Sequence, residues 1–75
     1  MNWRVIRLGL HRWEPAPGHV YQCERVNLHS LNYFVHINEK TMRTPGNKFW
    51  RASLAECKAT CERHYEMNTM GGEVP

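Results

Sequence analysis

The sequence contains no aspartate. Its side-chain carboxylates are all glutamates, and most fall on segments expected to face water. Acid–base catalysis needs a titratable group held beside a partner, usually a carboxylate or a nucleophile. Five histidines are present, but His29 and Ser30 are mere neighbours in a loop. The expectation is therefore a protein that is not an enzyme. No apolar run approaches the ~20 residues that span a bilayer as a helix, so no membrane partner is expected. No C-x2-C pair occurs, and the three cysteines are an odd number. Arg4 and Arg7 interrupt the first ten residues, so nothing there reads as a signal segment. Cys23, Cys57 and Cys61 are then expected as thiols in a reducing cytoplasm.

What is present bounds the fold. Seventy-five residues suffice for one small domain with a thin core. A hydrophobic content of 41% argues against wholesale disorder. A deep pocket for a large cofactor is hard to build in so few residues, and no cofactor is expected. Charge is unevenly spread: residues 1–51 carry +5 and residues 52–75 carry −2. Lys40 to Arg51 holds four cations and no acid. Such a stretch reads either as a basic patch for an anionic partner or as a solvated basic turn.

The clearest element is a helix from Ser53 to Tyr65, opened by a capping box in which Ser53 and Glu56 serve each other's backbone N–H groups. Leu54, Cys57, Cys61 and Tyr65 share one of its faces. Before it lie strand-like segments. Asn2–Trp13 reads as a strand or strand pair whose imperfect alternation at Val5 and Ile6 implies either a bulge there or burial of both faces. Pro15-Ala16-Pro17-Gly18 is a turn, and His19–Val26 a second strand with Tyr21 and Cys23 on one face. In Leu31–Asn38, Leu31, Tyr33, Val35 and Ile37 alternate with Asn32, Phe34, His36 and Asn38, which marks a half-buried strand. Thr44-Pro45-Gly46-Asn47 is a turn, and Lys48–Ala52 a short further strand. Residues 1–67 form the domain, and residues 68–75 a tail expected to fray.

Three kinds of chemistry compete with a plain core reading. Cys57-x3-Cys61-x2-His64 lies on one helix sector and offers zinc ligands, with Cys23 as a fourth. The same thiols stand where the core face needs small apolar groups, and the core reading is preferred. A disulfide from Cys23 to Cys57 or Cys61 would instead suit an oxidising compartment. Aromatic residues beside cations (Trp3/Arg4, Trp13/Arg12, Phe34/His36 and Phe49/Trp50/Arg51) suit base stacking with phosphate contacts, although tryptophans in so small a domain are mostly expected inside. Phe34 discriminates: it lies opposite the Tyr33/Val35 face, and exposed beside His36 it would form a docking patch.

The ending F-W-R-A-S-L-A-E-C-K-A-T-C-E-R-H resembles a pattern in short proteins of temperate phages and prophages. There a sheet ends in a tryptophan-containing strand, and a helix of the type S-L-x-E-A-K-x-x-C-E-x-H closes it. The resemblance covers residues 48–65. It implies a cytoplasmic protein of a bacterial host cell that inhibits a host protein or ribonucleoprotein complex, as anti-CRISPR proteins and other host-defence inhibitors do. It carries over no functional residue. A weaker resemblance is to sheet-plus-helix DNA-binding modules such as integrase arm-binding domains, from which Leu31–Asn38 departs by having few cations.

The expected architecture is α+β: three or four antiparallel strands with one C-terminal helix on one face. The expected function is steric occupation of a macromolecular partner through Phe34, His36, Lys40, Arg43, Lys48 and Arg51. A DNA- or RNA-binding module using the same basic surface is the alternative. An open strand edge makes a second copy of the chain a further expected partner.

Overall fold

The structure is a computed structural model that describes residues 2–68. It is α+β, with an antiparallel sheet and one C-terminal helix as the sequence indicates, but with more strands. These are β1 (Arg4–Arg7), β2 (Leu10–Ala16), β3 (His19–Arg25), β4 (Asn32–Ile37), β5 (Lys40–Thr41) and β6 (Arg51–Ser53), followed by α1 (Leu54–Glu66). The order is β1-β2-β3-β4, and β5 and β6 pair with different stretches of the far side of β4. Apart from Asn68, the tail expected for residues 68–75 lies outside the described residues.

The extra strands come from tight turns. Asn2–Trp13 is a strand pair because Leu8-Gly9 reverses the chain, with Gly9 at φ +81°, a conformation open to a residue without Cβ. Its register slips between Val5 and Arg7. β5 follows Asn38-Glu39, both at positive φ (50° and 72°), as a two-residue hairpin turn of the primed type requires. Asparagine suits that geometry and glutamate does not, so this turn has no clear sequence signature.

Three sequence expectations need correcting. Pro15 and Ala16 belong to β2, not to the turn, which shrinks to Pro17-Gly18. The register shift between Trp13 and Ala16 accommodates a proline within a strand. The strand expected over Lys48–Ala52 is β6, Arg51–Ser53, and Phe49 makes only an isolated bridge to Arg43. Leu31 lies outside β4 and is 88% exposed. The helix starts level with Asn32, the partner of Ser53, and runs back along the sheet, so it does not cover Leu31.

Trp13, Tyr21, Cys23, Tyr33, Val35, Cys57 and Cys61 make the buried core, with Trp3, Trp50, Leu54 and Tyr65 packed around it. Cys57 and Cys61 are the buried residues of α1. Small thiols at these positions let the helix settle closely on the sheet. The Trp13 ring lies 5.5 Å from Trp3, 5.4 Å from Tyr21 and 5.5 Å from Tyr65. Trp3 also donates from Nε1 to Glu62 (3.2 Å) and lies beneath Lys58, which ties β1 to the helix. Glu56 N–H donates to Ser53 Oγ, and that hydroxyl donates to the Glu56 carboxylate (both 3.3 Å). The capping pair thus meets side chain to side chain as well as side chain to backbone.

Candidate functional site: the open face of the sheet

Side chains alternate across a pleated sheet. Once Trp13, Tyr21, Cys23, Tyr33 and Val35 turn to the helix, the register fixes what the other face displays. One row across the strands is Arg4, Arg12, Gln22, His36 and Thr41. The next is Arg7, Leu10, Glu24, Phe34 and Arg51. The first row holds two guanidiniums, an amide, an imidazole and a hydroxyl, and no acid.

A chain of polar contacts runs over this face. Arg7 pairs with Glu24 Oε2 at 2.7 Å. Glu24 Oε1 accepts from His36 Nε2 at 3.0 Å, and Thr41 Oγ1 lies 2.9 Å from His36 Nδ1. In the neutral imidazole this arrangement puts the proton on Nε2, leaving Nδ1 to accept from the Thr41 hydroxyl. His36 is thereby fixed: its side chain is only 18% exposed, less than its position on the outer face implies. The sequence alone offered no carboxylate partner for His36, and Glu24 supplies one from the adjacent strand. The Arg7–Glu24 pair is well exposed and worth about 0–1 kcal/mol, so its effect is to orient groups. Arg12 is similarly tied to Glu14 (3.3 Å).

Beside this network Arg12, Val20, Gln22, His36, Asn38 and Glu39 line an open concavity of about 370 Å³. The second concavity, about 420 Å³, is more apolar and is lined by Phe34, Thr44, Lys48, Phe49, Trp50 and Arg51. It exists because the segment between β5 and β6 folds back over the sheet. Thr44 N–H donates to Lys48 O (2.7 Å), and Asn47 N–H to Thr44 O (2.9 Å), closing the predicted turn. Phe49 then rests on Phe34 with ring centroids 5.4 Å apart. Phe34 is thus half-buried rather than bare. Phe49 takes the outer position and is 46% exposed. The Arg43 guanidinium lies 4.1 Å above the Phe49 ring and donates to Asn47 O at 3.0 Å.

Of the residues proposed from sequence, Phe34, Arg43, Lys48 and Arg51 gather at this groove, and His36 sits next to it in the polar network. Lys40 does not join them. It pairs with Ile37, which packs against the core, and therefore belongs to the helix side of the sheet. Gln22, Glu24 and Thr41 escaped sequence reading altogether. Their only signal is position: each lies in register with a residue of β4 already assigned outward.

The other face offers less chemistry. Cys57 and Cys61 point into the sheet while His64 turns to Tyr21, with 2.9 Å between its Nδ1 and the phenol oxygen. All three cysteines are free and buried. Cys57 Sγ donates to Tyr33 O at 3.3 Å. The Cys57 thiol draws the Cys23 pKa down, but the Cys61 thiol and burial outweigh it and push it up to about 12. The hydrogen bond to Cys23, with burial, pushes Cys57 upward as well. Such thiols are inert at neutral pH. Among the described residues no group of three or more His, Cys or Glu side chains is arranged to hold a metal ion. No helix among them is long and apolar enough to cross a membrane.

No known protein family, curated protein or solved structure matches this chain.

Proposed function

We propose that this chain is a non-enzymatic binding protein that docks the anionic surface of a macromolecular partner on the open face of its sheet and acts by occupying that surface. One observation carries this reading. The helix covers one face, and the other presents Lys48 and Arg51 beside half-exposed Phe34 and Phe49, with Arg4 and Arg12 in the neighbouring row. Aromatic and arginine anchors of this kind dominate the energetics of macromolecular interfaces. Among the described residues, the Thr41–His36–Glu24 contacts border an open concavity rather than an enclosed one that would exclude water from a reaction. Their part in this reading is to hold the face in shape.

In its narrower form the partner is a protein or ribonucleoprotein complex of a bacterial host, and the chain is an inhibitor of anti-CRISPR type. That form is supported by the pattern of residues 48–65 alone. The test is a pull-down from bacterial lysate with the wild-type chain, an Arg51→Glu variant and a Glu66→Lys variant. Glu66 is exposed on the helix. A stoichiometric partner retained by the wild type and by Glu66→Lys, and lost with Arg51→Glu, supports the reading. Retention that ignores Arg51 removes the open face from it.

A further inference from the structure

We infer that the groove between Phe34 and Phe49 binds single-stranded nucleic acid, the unpaired base stacking at the aromatic pair and the backbone crossing the adjacent cations. This rests on the open face being the docking surface, and it commits that surface to one class of ligand.

Charge is the first argument. Arg43, Lys48 and Arg51 surround the groove, and all three are exposed. Among the described residues none of them is paired with a glutamate; the ion pairs of this face tie up Arg7, Arg12, Glu14 and Glu24 instead, and His36 hydrogen-bonds Glu24. The groove therefore keeps its positive charge uncompensated, as phosphate contacts require. Glu24, the one acid in the row of Phe34, already faces Arg7 and His36.

The aromatic pair decides between classes of anion. Phe49 holds a large apolar ring 46% exposed at the outer edge of the groove, with Phe34 beneath it and the Arg43 guanidinium across one face. A base can stack on an aromatic ring or on a guanidinium plane. In a duplex the base faces are hidden, and only the phosphates would find a use for this site. An acidic protein surface would engage the three cations equally well but would set carboxylates against an apolar ring. An unpaired nucleotide uses both halves of the groove, its phosphate on the cations and its base on the aromatic ring. Because every base has a π-face, stacking of this kind tolerates sequence, and among the described residues lining the groove there is no side-chain amide or carboxylate to read a base edge.

Fluorescence anisotropy with labelled oligothymidylate and oligoadenylate at low salt tests the inference. Saturable binding is expected, with a log–log salt slope of about −2 for three phosphate contacts on a single strand. Arg51→Gln should make that slope shallower by about 0.7. Phe49→Leu keeps an apolar side chain at an exposed position and so leaves folding intact, which a thermal melt verifies. It should weaken binding about ten-fold, and Phe49→Trp should restore it. A duplex of the same length should bind more weakly and ignore Phe49→Leu. The inference is overturned by no anisotropy change at tens of micromolar protein. It is equally overturned if duplex, heparin and single strand compete alike and Phe49→Leu binds as the wild type does. A lysate partner that survives nuclease treatment yet needs Arg51 would end this inference and leave the docking reading standing.

Discussion

The Nε2 atom of His36 lies 3.0 Å from the Glu24 carboxylate, and that contact joins β4 to β3 on the side of the sheet the helix leaves open. Glu24 is the acid at the centre of a basic face, held there by His36 and by Arg7. Glu24→Gln keeps the side-chain shape and an acceptor oxygen while removing the charge. Because both contacts are at least partly exposed, folding stability should fall by no more than about 1 kcal/mol. Anion binding on the open face should tighten, since one opposing charge is gone. A urea titration beside an oligonucleotide or heparin titration measures the two effects on one variant. A large loss of stability without tighter binding would show that Glu24 is structural.

The three thiols should be silent in the native protein. All are buried, and Cys23 and Cys57 are held well above the ordinary thiol range. Ellman's reagent at neutral pH should therefore register none of them promptly and all three in denaturant, the native reaction being limited by opening of the fold. Fast labelling of even one native thiol would contradict the packing of α1 on the sheet.

How far the sequence foretold this site follows from which signals are local. The helix was legible because its cap and its apolar spacing both lie within residues 53–65. The inner face of β4 was legible from alternation at Tyr33, Val35 and Ile37. Leu31 obeyed the same alternation and misled, because period two says nothing of where the covering helix begins. Cross-strand facts were not legible at all. That Arg4, Arg12 and His36 share a row depends on the register of three pairings, and Glu24 meets His36 only through that register. The fold-back that places Phe49 on Phe34 is a tertiary choice, announced in sequence only by the Pro45-Gly46 turn.

His11 should make the protein acid-sensitive. It lies on the helix side, edge-on to Tyr33 with ring centroids 5.9 Å apart. Burial lowers its pKa below 6.5, helped by the positive charges of Lys58 on the helix and Arg25 on β3. Its folded pKa is thus lower than its unfolded value, so the unfolded chain binds the proton more readily. The associated stability is complete above about pH 6.5 and is lost as pH falls from there through the lowered folded value. His11→Gln should flatten this part of the stability–pH curve relative to wild type. Parallel curves for the two proteins, measured by urea unfolding between neutral pH and pH 5, would exclude the role.

The free edge of the sheet should resist self-association because of Arg4 and Arg7. β1 is exposed along its whole length, including Val5 (65%) and Ile6 (49%), and such an edge is a template for a second strand. The register slip between Val5 and Arg7 leaves Arg4 and Arg7 on the same face, so in two copies paired antiparallel about the centre of β1 each Arg4 would face the other copy's Arg7. Like charges directly opposite across strands destabilise the pairing, and two such pairs would form in every dimer. The opposite edge is interrupted, since β5 and β6 are separate short strands. The chain should accordingly sediment as a monomer at micromolar concentration. Replacing both arginines with threonine, a good strand former, should shift it towards dimer, and raising the salt concentration should shift the wild type the same way by screening the repulsion. Analytical ultracentrifugation of the two proteins at low and high salt distinguishes this from an indifferent edge, for which neither change would move the sedimentation coefficient.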